Sequence, residues 1–485
     1  MQPAPSEFIS AEYDSPAATL ANLPGPAGLP LIGNMRDFSQ APPHTVLENW
    51  AVQYGPIYRF TLGRKRIVVI GVHDLTQQIL RARPGQFLRQ RKLSDAIEET
   101  GFHGVFTAEG DDWRRQRRLV MQGLTPTVVN AASSRLATAT ARLAGQWAQA
   151  ADSGAVININ NDLKRYSMDA VLWLSLGIDL NATEHPDQPL QTAVDRWFGI
   201  IGRRLRLPFN YWRYFSLAVD KQAARAIVLL REAAHQAIDE TRARRAQWVD
   251  NPTNILEALL LEAEREGSAF TTDHVFGNAV TMLTAGEDTT ANAISWLLYY
   301  CSIQPALTEQ LRASIDAALG PAPGPLDAAM IKRLPQLQAV CMEVMRRRPV
   351  APLIGLSTAS AVTVGGLSMA TGQQLVLLPR VANRATPAEL DSLPLTMPEL
   401  DAEARMAANA STNQFAFGGG PRLCPGRYLA LAEMMHVAVM ALQNYDFELA
   451  IPPAQIREVF TFTMGPETMP MRLRRRNPDQ SPASV

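Results

Sequence analysis

A single thiol carries the sharpest chemical signal in this sequence. Cys424 lies in Phe417-Gly418-Gly419-Gly420-Pro421-Arg422-Leu423-Cys424-Pro425-Gly426, between glycines that favour a turn and a run that predicts a helix from Pro425 to about Gln443. Turn N–H groups and the positive end of a helix both stabilise negative sulfur, so the placement favours a thiolate of lowered pKa. Pro425 suits a first helical turn, where its missing N–H costs little. A lone cysteine can be a nucleophile, a zinc ligand, an iron ligand or an apolar filler. Zinc is disfavoured, because no CxxC accompanies it and none of the seven histidines forms an HExxH pair. A nucleophile needs a histidine base that one sequence does not place in space.

Three further groups of residues could support such a site. In Thr284-Ala285-Gly286-Glu287-Asp288-Thr289-Thr290, Ala285 and Thr289 are four apart and share a helix face. The Thr289 hydroxyl can bond the carbonyl four residues back and loosen the helix. Gly286 removes a side chain from the same wall and makes room for a small ligand such as dioxygen, while Glu287 points to another face. Glu343 and Arg346 are three apart, the spacing of an ion pair on one helix face. Trp113 and Arg117 are four apart on a basic helix that follows Asp111-Asp112, two acids suited to its positive end. Arg114, Arg115 and Arg118 then face outward.

The elements that must hold these groups are mainly helices. From Asp111 to about Tyr300, apolar residues recur at spacings of three and four. The stretch Thr272–Cys301 could form one helix of about 30 residues, long enough to cross a domain at about 1.5 Å per residue. Residues 57–71 alternate enough to predict two strands turning near Gly63. Residues 351–380 read as short strands with turns at Gly365-Gly366 and Gly372. Residues 384–413 read as ordered coil. Pro and Gly in Leu23–Pro30 forbid a helix and mark the start of the folded body.

Composition removes several classes of function. Lys+Arg 46 balance Asp+Glu 46, which takes away the basic excess that drives nonspecific nucleic-acid binding. Three scattered cysteines do not make a disulfide framework. The first residues, with Glu7, Glu12 and Asp14, do not read as a secretory signal, and no apolar run reaches a membrane span. The expectation is a cytoplasmic monomer with no nucleic-acid partner and no membrane span.

The decapeptide ending at Gly426 resembles the haem-binding loop of the cytochrome P-450 family, Phe-x-x-Gly-x-Arg-x-Cys-x-Gly, at every fixed position. The resemblance implies that Cys424 ligates the iron of haem b (iron protoporphyrin IX), that Phe417 packs near the sulfur, that Arg422 meets a propionate, and that Gly426 belongs to the same cradle. It also implies that Asp288 and Thr289, with Ala285 and Gly286, form the acid–alcohol motif of the oxygen-binding helix. Trp113 and Arg117 become propionate contacts, and Glu343 and Arg346 a structural pair. The implied fold is mainly α with small β-sheets, the haem buried between the long central helix and the cysteine loop with its last helix. The implied organisation is a flexible leader over 1–22, one catalytic domain over 23–476 and a tail over 477–485.

The family reading makes the chain a soluble, bacterial-type monooxygenase that inserts one atom of O2 into a small apolar substrate by hydroxylation or epoxidation. NAD(P)H enters only indirectly, through a separate ferredoxin or flavodoxin with its reductase, for which Arg114, Arg115, Arg118 and Arg427 could form a cationic docking face. A peroxygenase or isomerase, and a noncatalytic haem sensor or carrier, are the alternatives. Phe102, Val105, Phe106, Leu353, Ile354 and Met464 are candidate substrate contacts, and Phe209, Tyr211, Trp212, Tyr214 and Phe215 a candidate access lid. Two positions depart from the family pattern. Pro398-Glu399-Leu400-Asp401 puts leucine where an arginine usually completes the Glu343–Arg346 group, and Leu353–Ser357 holds no arginine for a propionate.

Overall fold

The computed structural model describes residues 20, 22–131, 133–207, 209–265, 267–320, 326–383, 395 and 415–476. The expected leader therefore falls almost wholly outside the described residues. So do the tail over 477–485 and the coil over 384–413 with Leu400, apart from Leu395.

The chain divides into two compact units, the first drawn from Met1–Gln90, Leu353–Pro387 and Gly418–Leu423. Its centre is a five-stranded sheet. The predicted hairpin pairs Ile57–Leu62 with Lys65–Ile70 in register from Ile57↔Ile70 to Leu62↔Lys65. Gly63 supplies the positive φ of 58° at the turn. The second hairpin strand pairs parallel with Gln374–Leu377, which continues through Ile354–Thr358 to Phe87–Arg89. Ile67, Val68, Val69 and Ile70 are all buried, the continuous apolar run of a strand covered on both faces. Helix Pro43–Tyr54 is tied to this sheet by the Tyr58 hydroxyl, which donates to the Leu47 carbonyl at 2.6 Å.

The second unit comprises Arg91–Pro352, Ala388–Phe417 and Cys424–Val485, and six of its helices position the chemistry. They are α1 (Gly110–Gly123), α2 (Ile159–Leu176), α3 (Pro189–Arg206), α4 (Thr272–Ile303), α5 (Pro335–Arg347) and α6 (Arg427–Asn444). At 32 residues α4 is the anticipated long helix, about 48 Å from end to end. It starts at a reciprocal cap: the Thr271 hydroxyl accepts from the His274 N–H, and His274 Nδ1 accepts from the Thr271 N–H. It is buried around most of its circumference, as a helix at the centre of a large core must be. Helices α2, α5 and α6 all pack on it.

Helix α6 begins at Arg427, two residues beyond the anticipated Pro425, because Pro425 and Gly426 form a turn instead of its first turn. A three-stranded sheet, Val156–Asn158, Pro470–Arg475 and Tyr445–Leu449 in spatial order, and a hairpin of Glu458–Phe460 with Met464–Pro466 complete this unit.

Candidate active site

Around the middle of α4 the burial pattern breaks. Ala285 is exposed and Gly286 and Thr289 are half-buried, in a stretch whose neighbours Thr284, Glu287, Asp288 and Thr290 are buried. An alanine open to space halfway along a core helix means that a cavity, not packed protein, lies against that face. The Thr289 hydroxyl donates to the Ala285 carbonyl at 2.7 Å, the back-bond anticipated from spacing. Gly286 has a different role from the one anticipated. A Cβ there would lie 2.5 Å from Cγ2 of Val171 on α2, so the missing side chain brings two helices together and does not widen the ligand wall.

Asp288 turns away from the open face. Its carboxylate meets the Lys164 ammonium at 2.8 Å and accepts from the Thr463 hydroxyl. Glu287 also turns from that face, as anticipated, but into the protein and not to solvent. It is wholly buried and accepts from the Gln191 amide at 3.0 Å. Burial first, and then the Asp288 charge beside it, push the Glu287 carboxyl up to about 8.

Cys424 stands immediately before α6, half-buried, and its N–H donates to the Phe417 carbonyl at 2.9 Å, closing the loop. Phe417, whose carbonyl takes that bond, is half-buried. Gly418 and Gly420 hold the loop's two positive φ values, 75° and 62°. Desolvation by the surrounding protein raises the Cys424 thiol. The Gly426 N–H and the Arg117 and Arg427 guanidiniums act against that rise without overcoming it. The lowered pKa expected from the turn and the helix end is thus not met: desolvation wins, partly because α6 starts further on. Coordination to a cation would then be what holds this sulfur ionised.

That requirement fits a haem. The thiol, the exposed Ala285 face and Thr289 belong to one unit: Ala285 and Thr289 are on α4, and Cys424 is in the loop that leads into α6, which packs on α4. Among the described residues no three His, Cys, Asp or Glu side chains are grouped to hold a metal ion, and a single thiol ligand is what the resemblance to the haem-binding loop implies. Arg117 supplies a cation on the thiol side. Burial lowers its pKa while Cys424 raises it. Trp113, one turn earlier on α1, is buried at 6% exposure. Arg422 is half-buried within the other unit.

On α5, Arg346 grips Glu343 with two bonds, Nε to Oε2 at 2.7 Å and Nη2 to Oε1 at 2.8 Å. A second guanidinium that spacing did not single out, Arg347, donates to Glu343 Oε1 at 2.9 Å. Burial raises the Glu343 carboxyl, but these bonds outweigh it and hold it low. Arg347 thereby supplies a further partner to a group whose usual arginine is Leu400 here.

The candidate substrate residues separate by position. Phe102 and Val105 are buried and Phe106 half-buried on a segment pinned to α4, where Asn278 accepts from the Val105 N–H at 2.8 Å and donates to Gln116 at 3.0 Å. Phe106 meets Phe462 at 6.0 Å, and Phe462 meets Phe198 at 5.8 Å and Trp197 at 6.5 Å. Phe462, Trp197 and Phe198 escaped the sequence reading, because the adjacent pair Trp197-Phe198 and the distant Phe462 share no spacing signal. Met464 has no exposed surface, and its N–H donates to the Val350 carbonyl at 2.8 Å, so it sits in core rather than on a wall. Leu353 and Ile354 are half-buried in the other unit.

Of the aromatic cluster, Tyr211 is buried and meets Trp212 edge-on at 5.5 Å and Phe215 at a tilt at 5.6 Å, while Phe209, Tyr214 and Phe215 are more than half exposed. The cluster is a packed corner with an exposed rim. Arg114 and Arg115 are exposed but paired with Asp111 and Asp112, which reduces the anticipated cationic face. Arg427 lies 4.3 Å from the Tyr428 ring.

Comparison with known proteins agrees with this geometry. The cytochrome P450 family profile matches residues 23–469. The chain is 25% identical over 465 residues to the bifunctional cytochrome P450/NADPH–P450 reductase ascE of Acremonium egyptiacum, covering 93% of this chain and 43% of that protein. It is 24% identical over 492 residues to the cytochrome P450 monooxygenase sphH of Aspergillus fumigatus, covering 93% of this chain and 87% of that one. It thus spans less than half the length of the first relative. The fold is similar to the crystal structure of the cytochrome P450 CYP102L1, with a TM-score of 0.79 at 22% identity over 94% of this chain and 99% of that one. Among the described residues no helix is long and apolar enough to cross a membrane. A lone thiol before a core helix, a long helix with an opened middle and a family match over nearly all of its length place this chain in the cytochrome P450 family, whose members are haem-thiolate oxidoreductases.

Proposed function

We propose that this chain inserts one atom of dioxygen into a small apolar molecule, with haem b held through Cys424. The observation that carries the reading is the pairing of a half-buried thiol beside two guanidiniums with a core helix opened at Ala285 and Thr289. When bound, a haem ligated by thiolate supplies the oxygen activation, the sulfur's electron release favouring O–O cleavage. The chain's own residues do the rest. Trp113 and Arg117 anchor the propionates, Phe417 shields the sulfur, and Gly426 donates its N–H to it.

Thr289, held by the Ala285 carbonyl, presents a hydroxyl at the open face and can pass a proton to a ligand there. Asp288, adjacent in the chain, is the acid behind that hydroxyl, and reaching it requires release from Lys164 or Thr463. The aromatic wall of Phe106, Trp197, Phe198 and Phe462, with Phe102 and Val105 behind it, excludes water and selects an apolar substrate. Residues 23–476 act as one catalytic domain in this proposal, and the electrons come from a donor protein. The candidates are a ferredoxin or flavodoxin with its reductase, or an NADPH–P450 reductase of the kind named in the fungal bifunctional relatives.

The test is reconstitution with haem, followed by ligand-shift screening and turnover with NAD(P)H and each donor type. Oxygenated product that depends on a donor supports the proposal. Faster turnover with hydrogen peroxide than with any donor points to a peroxygenase, and ligand binding without product to a sensor, and either result overturns it.

A further inference from the structure

Behind the open face of α4 lies a cluster of charge that the oxygen-handling residues do not explain. Glu287 and Asp288 are on α4, Lys164 on α2 and Asp195 on α3. Lys164 touches Asp288 at 2.8 Å and feels the charges of Glu287 and Asp195, and Gln191 bonds Glu287 and interacts with Asp195. Three carboxyls therefore share one ammonium. Charging all three would leave two negative charges uncompensated in a region where Glu287 has no exposed surface and Asp288 only 5%. Isolated buried charge of that kind is avoided by protonation.

The geometry selects which group holds the proton. Asp288 has the ion pair and the Thr463 hydroxyl, whereas one Glu287 oxygen has only the neutral Gln191 amide and the other, buried, has no hydrogen-bond partner. Asp195 reaches the surface.

We propose that Glu287 is a positioning residue for proton supply, storing a proton as a neutral carboxylic acid behind Asp288 and replacing the proton that Lys164 gives to the Asp288 carboxylate. Lys164 gives one ammonium proton to the Asp288 carboxylate at its 2.8 Å contact, and the amine left behind takes the Glu287 proton, which restores the ammonium and leaves Glu287 a carboxylate. The resulting Glu287 carboxylate then regains a proton from solvent by way of Asp195. This inference rests on the monooxygenase reading, in which Asp288 backs Thr289. Raised as it is to about 8, the Glu287 carboxyl stays loaded at neutral pH.

The test uses the purified holoenzyme and Glu287→Gln, which keeps shape and can still bond Gln191. In infrared difference spectra the wild type shows the carbonyl band of a protonated buried carboxyl, titrating away with a midpoint of about 8, and Glu287→Gln lacks it. Absence of any such band lost in the variant overturns the proposal without touching the haem-thiolate reading, which the absorption spectrum of the same samples reports separately. In turnover, product per NAD(P)H falls about tenfold or more in Glu287→Gln. It also becomes independent of pH across the range in which the wild type declines, and Glu287→Asp restores part of it. Equal coupling and the same pH profile in both proteins would refute the proton store.

Discussion

The Lys164 ammonium lies 2.8 Å from the Asp288 carboxylate, a pair that joins α2 to the middle of α4. Burial opposes the lysine's charge, but the acids around it, Asp288 foremost, outweigh it and raise its pKa. Lys164→Gln removes the cation that three carboxyls share. Breaking a fully buried pair costs about 3–5 kcal/mol. Because the Lys164 side chain keeps 30% exposure, the expected loss is about 1–3 kcal/mol, read from denaturant unfolding of the holoenzyme. A loss below about 0.5 kcal/mol would mean that the pair is screened like a surface one.

Thr289→Ala removes the hydroxyl that donates to the Ala285 carbonyl while leaving Cys424 and the propionate contacts in place. Haem content is expected to stay at the wild-type level, product formation to fall by about tenfold or more, and peroxide to appear in its stead. Simultaneous assay of NAD(P)H consumed, product and peroxide decides the matter. Product still matching NAD(P)H consumption would remove Thr289 from proton handling.

Cys424→Ser replaces the soft donor with a hydroxyl that stays protonated at neutral pH. The reduced carbon-monoxide complex is then expected to lose the long-wavelength band that marks thiolate ligation. An unchanged band would show that another side chain ligates the iron.

His103 bonds Glu98 at 2.9 Å and Asp112 at 2.8 Å, bracing the segment that carries Phe102, Val105 and Phe106. Burial lowers its pKa, but the two carboxylates outweigh that and raise it above the ordinary value of about 6.5. A raised folded value means the stabilisation is complete below about 6.5 and is lost as pH rises through the folded value. Unfolding of wild type and His103→Gln across this range should show a difference that is largest on the acid side and shrinks toward alkaline pH. A difference that grew with pH would reverse the assignment.

Much of the site is local and therefore readable from spacing. Loop, helix and cap are determined within a few residues, so the Cys424 loop, the Ala285–Thr289 face, the Glu343–Arg346 pair and the hairpin turning at Gly63 were legible from residue types. The helix start after Cys424 slipped by two residues because a turn and a first helical turn make the same use of proline and glycine. Gly286 misled for a different reason: its neighbour Val171 is on another helix, and packing contacts between helices have no period in the sequence.

By itself, the sequence determined that the chain is mainly helical, that one thiol stands in a glycine-rich loop just before its last long helix, and that an acid and an alcohol stand together in its longest described helix. Only the tertiary structure decided where the charges go. It turned Asp288 toward Lys164, buried Glu287 against Gln191, added Arg347 to Glu343 and assembled Phe106, Trp197, Phe198 and Phe462 into one wall. The physical reason is that ionisation and apolar packing depend on distances through space, which the spacing of residues along the chain does not contain.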